Sequence, residues 1–166
     1  MTNRREATAA WRERFGVQSM LLRQFEAAGD FGDLSPREYD VLLVLAEAGE
    51  GLRLGDVASR TFLPQPSMSR IVERLEKRGL VERCSSPSDA RGVLVSLTPL
   101  GATTQREAGR RHVRSIAQAI TAGLDDREIA TLTRLLTKVR LANTANAANT
   151  TDNANSRFAI GMEGKK

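Results

Sequence analysis

Apolar positions recur at helical spacing over most of this chain and alternate at the two-residue period in only one stretch. From about Ala7 to Ala28, Trp11, Phe15, Leu22 and Phe25, together with Gln18, fall three and four apart, which predicts an amphipathic helix. Gly29 to Asp33 break it. Ser35, Pro36 and Glu38 then supply an N-cap, a first-turn proline and the far side of a capping box, predicting a helix from Pro36 to about Ala48. Gly49 to Gly51 end that helix, and Leu54, Val57 and Ala58 mark a brief one before Thr61 and Phe62.

Two prolines in Leu63-Pro64-Gln65-Pro66-Ser67 fit only before or within the first turn of a helix, so the next helix starts there. Met68, Ile71, Val72 and Leu75 form its buried stripe, with Pro66, Arg70, Glu73 and Lys77 opposite. Gly79 is its expected stop. Val93, Val95 and Leu97 alternate with Leu94 and Ser96 as a strand, and Leu80 to Cys84 is its expected partner. Ser85 to Gly92, polar and rich in turn formers, reads as a long hairpin tip. Thr98 and Pro99 open a long helix to about Ala122. Asp125 and Glu128 cap a last one, whose stripe of Ile129, Leu132, Leu135, Leu136 and Val139 ends near Leu141. From Ala142 to Asn155 almost every residue is Ala, Asn or Thr, too little apolar bulk to offset the entropy of ordering, so residues 142–166 are expected to be a disordered tail, with Phe158, Ile160 and Met162 as possible docking points.

The fold class that follows is mainly α with a small β-hairpin wing. Helix, short helix, turn, helix, hairpin is the order of a winged helix-turn-helix, here over Ser35 to Leu97. The expected divisions are an N-terminal helix in 1–34, the winged region in 35–98, two C-terminal helices in 99–141 and the tail. The terminal helices carry apolar stripes and have no sheet to pack on, so a second copy of the chain is the natural place to bury them.

A length of 166 residues leaves little room for a second catalytic domain, and a net charge of +5 favours polyanionic partners. Aromatic residues are only 4% of the chain, too few for a platform that stacks single-stranded bases, so duplex DNA is the expected nucleic acid. No apolar run approaches a membrane span and no apolar signal-peptide core follows Met1, so a cytoplasmic protein without a membrane partner is expected. A lone Cys84 and a lone His112, the latter expected on a helix surface, offer no zinc cluster. With no nucleophile elbow or phosphate-cradling glycine loop either, an enzyme is not expected and neither is a cofactor.

Candidate chemistry gathers in the winged region. A helix fits the major groove with its first-turn residues at base edges, and Gln65, Pro66, Ser67, Ser69, Arg70 and Arg74 are the candidates there. Gln pairs with adenine, Arg with guanine, and Ser hydroxyls take base edges or phosphates. At the hairpin tip Arg91, oriented by Asp89, suits a narrow minor groove. From Arg60 to Gly92 there are seven basic residues and four acidic ones, a modest excess.

The run from Leu63 to Arg83, LPQPSMSRIVERLEKRGLVER, resembles the recognition helix of the multiple-antibiotic-resistance regulator (MarR) family. The stretch SDARGVLVSLTPLG, from Ser88 to Gly101, is similar to the family's wing. The resemblance spans roughly Ala7 to Leu141. It implies a homodimeric bacterial transcription regulator, usually a repressor, with interlocking terminal dimerisation helices, palindromic operators and release by a small molecule. Two departures bear on contacts: Pro66 replaces a more usual small polar residue, and Gly92 stands where a second Arg is frequent, leaving Arg91 as the main minor-groove residue.

Two further readings stay open. Trp11, Phe15, Phe31 and Tyr39 could line an effector cavity for a small aromatic or phenolic molecule, against simple core packing. Cys84 beside Arg83 could sense oxidants, because a nearby cation favours the reactive thiolate, against an inert strand residue. A winged-helix protein-interaction module without DNA binding is the rival to a repressor. Arg70 and Arg91 speak against it, since such a module has no need of basic residues at the helix start and wing tip.

Overall fold

The computed structural model describes residues 3–86 and 89–160, with side chains described for 3–84 and 93–144. Its elements run α1 (Arg4–Ala27), α2 (Pro36–Ala48), β1 (Leu52–Arg53), α3 (Leu54–Thr61), α4 (Gln65–Lys77), β2 (Val81–Ser86), β3 (Asp89–Leu97), α5 (Pro99–Thr121) and α6 (Asp126–Ile160). This is a winged helix-turn-helix flanked by helices. The capping box that opens α2 is complete: Glu38 N donates to Ser35 Oγ at 3.3 Å, and Ser35 N donates to Glu38 Oε2 at 2.9 Å. Asp125 and Glu128 make the same reciprocal pair before α6, both bonds at 2.9 Å.

The sheet has a strand that alternation did not foresee. Its order is β1-β3-β2, with Leu52 opposite Val95 and Arg53 opposite Leu94. Two residues are too short to show a period. The hairpin also runs further than expected, pairing Ser85 with Val93 and Ser86 with Asp89 across an irregularity that leaves Ala90, Arg91 and Gly92 as extra residues on β3. Polar composition marked this stretch as loop, but a bulge accommodates such residues inside a ladder.

The chain divides into two compact units, Met1–Gln118 and Ala119–Lys166. In the first, α2, α3, α4, the sheet and the start of α5 share one core of Val41, Leu42, Leu45, Val57, Met68, Val72, Leu75, Val81, Val95 and Ala108. The stripe expected on α4, Met68, Ile71, Val72 and Leu75, is buried. The helix α5 is anchored by a close approach: a Cβ at Gly101 would overlap the Leu80 carbonyl oxygen, so only glycine fits. Thr98 locks the same corner, its hydroxyl donating to the Gly79 carbonyl at 2.6 Å and accepting from Gly101 N at 3.0 Å. In the second unit α6 continues past Leu141 to Ile160, where composition predicted a disordered tail. Met162 lies outside the described residues, as do the side chains of Phe158 and Ile160.

No residue of α1 is buried, and Trp11, Phe15, Val17, Met20 and Leu22 lie exposed along it. On α6, Leu132, Leu135, Leu136, Val139 and Leu141 are exposed as well. Among the described residues no helix is long and apolar enough to cross a membrane.

Candidate nucleic-acid interface

Helix α4 starts bare. Pro64 stands at the N-cap position with no side-chain cap, and Pro66, lacking an N–H, occupies the first turn without cost to the helical ladder. Around the buried stripe, Gln65, Pro66, Ser67, Ser69 and Arg70 are all exposed, so five of the six recognition-helix candidates face solvent at the start of α4. Ser69 Oγ donates back to the Gln65 carbonyl at 3.2 Å, a local bond that leaves the oxygen free to accept. The Gln65 amide lies towards the start of α3, 3.5 Å from where a Cβ on Gly55 would stand. Among the described residues Arg70 makes no ion pair, in contrast to Lys77, which holds Glu73 at 2.7 Å.

Arg74, the sixth candidate, has a structural partner. Its Nε donates to Glu38 Oε1 at 3.3 Å, and Arg78 reaches Glu38 Oε2 at 3.6 Å. Glu38 therefore caps α2 and grips α4 with the same carboxylate. Burial pushes its pKa up, but hydrogen bonds from Ser35 and Arg74 and the charge of Arg78 outweigh that and leave it below the ordinary 4.5. Sequence reasoning missed this residue's second role because 36 positions separate it from Arg74. At the wing the backbones of Asp89 and Arg91 belong to β3, and their side chains lie outside the described residues.

Within one chain the four aromatic candidates divide between the core and the exposed side of α1. Phe31 and Tyr39 are buried in the core with ring centroids 5.4 Å apart, while Trp11 and Phe15 are 62% and 60% exposed on α1, with Arg14 stacked over Trp11 at 4.5 Å. Phe15 precedes Phe25, the α1 ring at the core, by ten residues, about 15 Å of helix. What completes the Phe31–Tyr39 pair is His112, which departs from the surface position expected of it. Its ring sits 4.7 Å from Phe31, 5.4 Å from Tyr39 and 4.9 Å from Phe25. Its Nδ1 meets Oδ2 of Asp30 at 3.0 Å, and Asp30 is only 2% exposed. Ser115 Oγ donates to Asp30 Oδ1 at 2.7 Å, and Arg111 Nε to the Asp30 carbonyl at 3.1 Å. This network ties the turn after α1 to α5 across about 80 positions, a separation no local pattern betrays.

Cys84 is free and exposed, its Sγ 3.9 Å from both the Leu94 carbonyl and Ser96 Oγ. Arg83, the cation expected to activate it, sits one residue away on β2. Its side chain therefore leaves the opposite face, where it pairs with Glu76 at 3.5 Å. Adjacency in sequence misled here because strand neighbours point apart. Among the described residues no three His, Cys, Asp or Glu side chains group to hold a metal.

The model of the MarR family matches residues 32–92. The multiple antibiotic resistance protein MarR of Salmonella typhimurium is 40% identical over 73 residues, 44% of this chain and 51% of that protein. The chain thus spans about half the length of this curated relative. A helix-turn-helix-type transcriptional regulator of Mycobacterium bovis is 31% identical over 110 residues, covering 66% of this chain and 76% of that one. Among solved structures, a MarR family transcriptional regulator from Streptomyces coelicolor in complex with DNA is similar with a TM-score of 0.70 and 28% identity, over 81% of this chain and 86% of that one. With a solvent-facing recognition turn on a winged helix-turn-helix and these likenesses together, the chain belongs to the MarR family of transcriptional regulators.

Proposed function

We propose that this protein is a sequence-specific duplex-DNA-binding repressor that acts as a cytoplasmic homodimer on a palindromic operator and is released by a small molecule. The observation that carries the reading is the first turn of α4: polar Gln65, Ser67, Ser69 and Arg70 stand exposed on a helix whose other face is locked into the core. A helix held in that way presents its side chains without further ordering, which is what base-edge recognition needs. In this reading Arg70 reads a base and Arg91 enters a minor groove with Asp89 orienting it. Arg74 contributes through the part of its guanidinium that Glu38 does not hold, and Pro66 shapes the turn. The exposed stripes of α1 and α6 support the dimer, since a second copy would bury them. An effector would act by biasing the spacing of the two recognition helices.

The test is titration of operator duplex with parent, Arg70→Ala and Arg91→Ala across salt concentration. Arg70→Ala is expected to lose about 1–3 kcal/mol and to relax preference at one base position. Arg91→Ala is expected to weaken binding to all duplexes and lower the salt slope by about one. Parent-like binding by both variants overturns the docking described.

A further inference from the structure

Outside glycine, one described residue holds a left-handed backbone: Phe62, with φ 55°, at the end of α3. There the Cβ of an L-residue crowds the following carbonyl, which is why such caps favour glycine or asparagine. Burial does not compensate, because Phe62 is 76% exposed, the most exposed large apolar side chain among the described residues. The turn does not need the ring either. Its bonds, Phe62 N to the Ser59 carbonyl at 3.4 Å and Leu63 N to the Ala58 carbonyl at 3.1 Å, are backbone bonds that glycine would make equally. Strain kept without a return in folding points to use at a surface.

The surface is adjacent to the recognition turn. Phe62 lines an open groove of about 760 Å³ with Gly55, Asp56, Ser59, Pro64 and Gln65, so Phe62 and Gln65 border the same concavity. Between positions 53 and 70 the chain carries three arginines and one carboxylate, Asp56, a balance suited to a polyanion. The 5-methyl of thymine is the one apolar group that bases present in the major groove, and phenylalanine is among the side chains that meet it. We propose that Phe62 is a specificity-determining residue whose ring packs on a thymine 5-methyl, beside the base met by Gln65. This rests on the DNA-binding reading above and adds an apolar contact to it.

The experiment uses the tightest duplex recovered from a random pool by the full chain, remade with deoxyuridine at each thymine in turn so that only a methyl is lost. At one thymine per half-site the parent is expected to lose about fourfold in affinity, the factor that burying one methyl is worth. Phe62→Ala is expected to lose at least that on the unmodified duplex and nothing more on the deoxyuridine one. Phe62→Gly is expected to melt no lower than the parent while losing the same affinity, which separates contact from folding. A lower melting point for Phe62→Gly overturns the proposal, because the ring would then serve the fold. So does a parent indifferent to every thymine methyl, or a Phe62→Ala that binds and discriminates like the parent; in the last case Phe62 is left to a protein partner and the DNA reading stands. If no duplex is enriched, both readings fall together.

Discussion

A single carboxylate joins two parts of the winged region. Glu38 closes the cap of α2 and holds Arg74 and Arg78 of α4, so its removal costs a cap and a charge-assisted bond together. Glu38→Ala should lower stability by about 1–3 kcal/mol in denaturant titrations, the exposure of Arg74 keeping the ion-pair share small. Because the folded-state pKa lies below 4.5, the carboxylate's contribution is present above the unfolded value and is lost as pH falls through the folded one. The stability gap between parent and Glu38→Gln should therefore be full at neutral pH and close on acidification below about 4.5, as denaturation at several pH values would show. His112→Ala strips Asp30 of one of two side-chain partners inside the core and should cost about 1–3 kcal/mol by the same measurement. Hydrogen peroxide is expected to leave duplex binding unchanged in both parent and Cys84→Ser, since Arg83 faces Glu76 and not the thiol. Release of the parent alone would restore the oxidant reading.

Among the elements, those with local signals are legible in the sequence. The capping box at Ser35 places α2 at its observed bounds, and the prolines around Gln65 with the stripe from Met68 to Leu75 bracket α4 between Leu63–Ser67 and Gly79, around the observed Gln65–Lys77. The face of Pro66, Arg70, Glu73 and Lys77 was equally readable, because it follows from helical period once the buried stripe is known. Hidden from the sequence were β1, too short for a period, and the pairings of Glu38 with Arg74 and Asp30 with His112, which only the fold brings together. So was the strain at Phe62, because a backbone angle leaves no trace in residue type. Gly101 sits between these cases: it closes the stretch from Ser88 that is similar to the family's wing, but the reason for it is the Leu80 carbonyl. Gly101→Ala should drive α5 off that corner, costing more than about 3 kcal/mol and abolishing cooperative melting in calorimetry.

For the whole molecule, the account rests on a second copy. Large hydrophobic side chains stand exposed along α1 and along α6, and a second copy of the chain is what would bury them. Sedimentation should accordingly report a dimer at micromolar concentration. Two recognition helices related by a two-fold axis can read only a sequence with matching halves, about one helical turn of DNA apart. The most direct measurement is thus selection of bound duplexes from a random pool by the full chain, with affinity for the winner followed against salt. The account predicts a palindrome whose half-sites lie about 10 base pairs apart, bound by a dimer. Sequence-blind binding that disappears with salt, or no enrichment at all, contradicts it and returns the fold to a protein-interaction role.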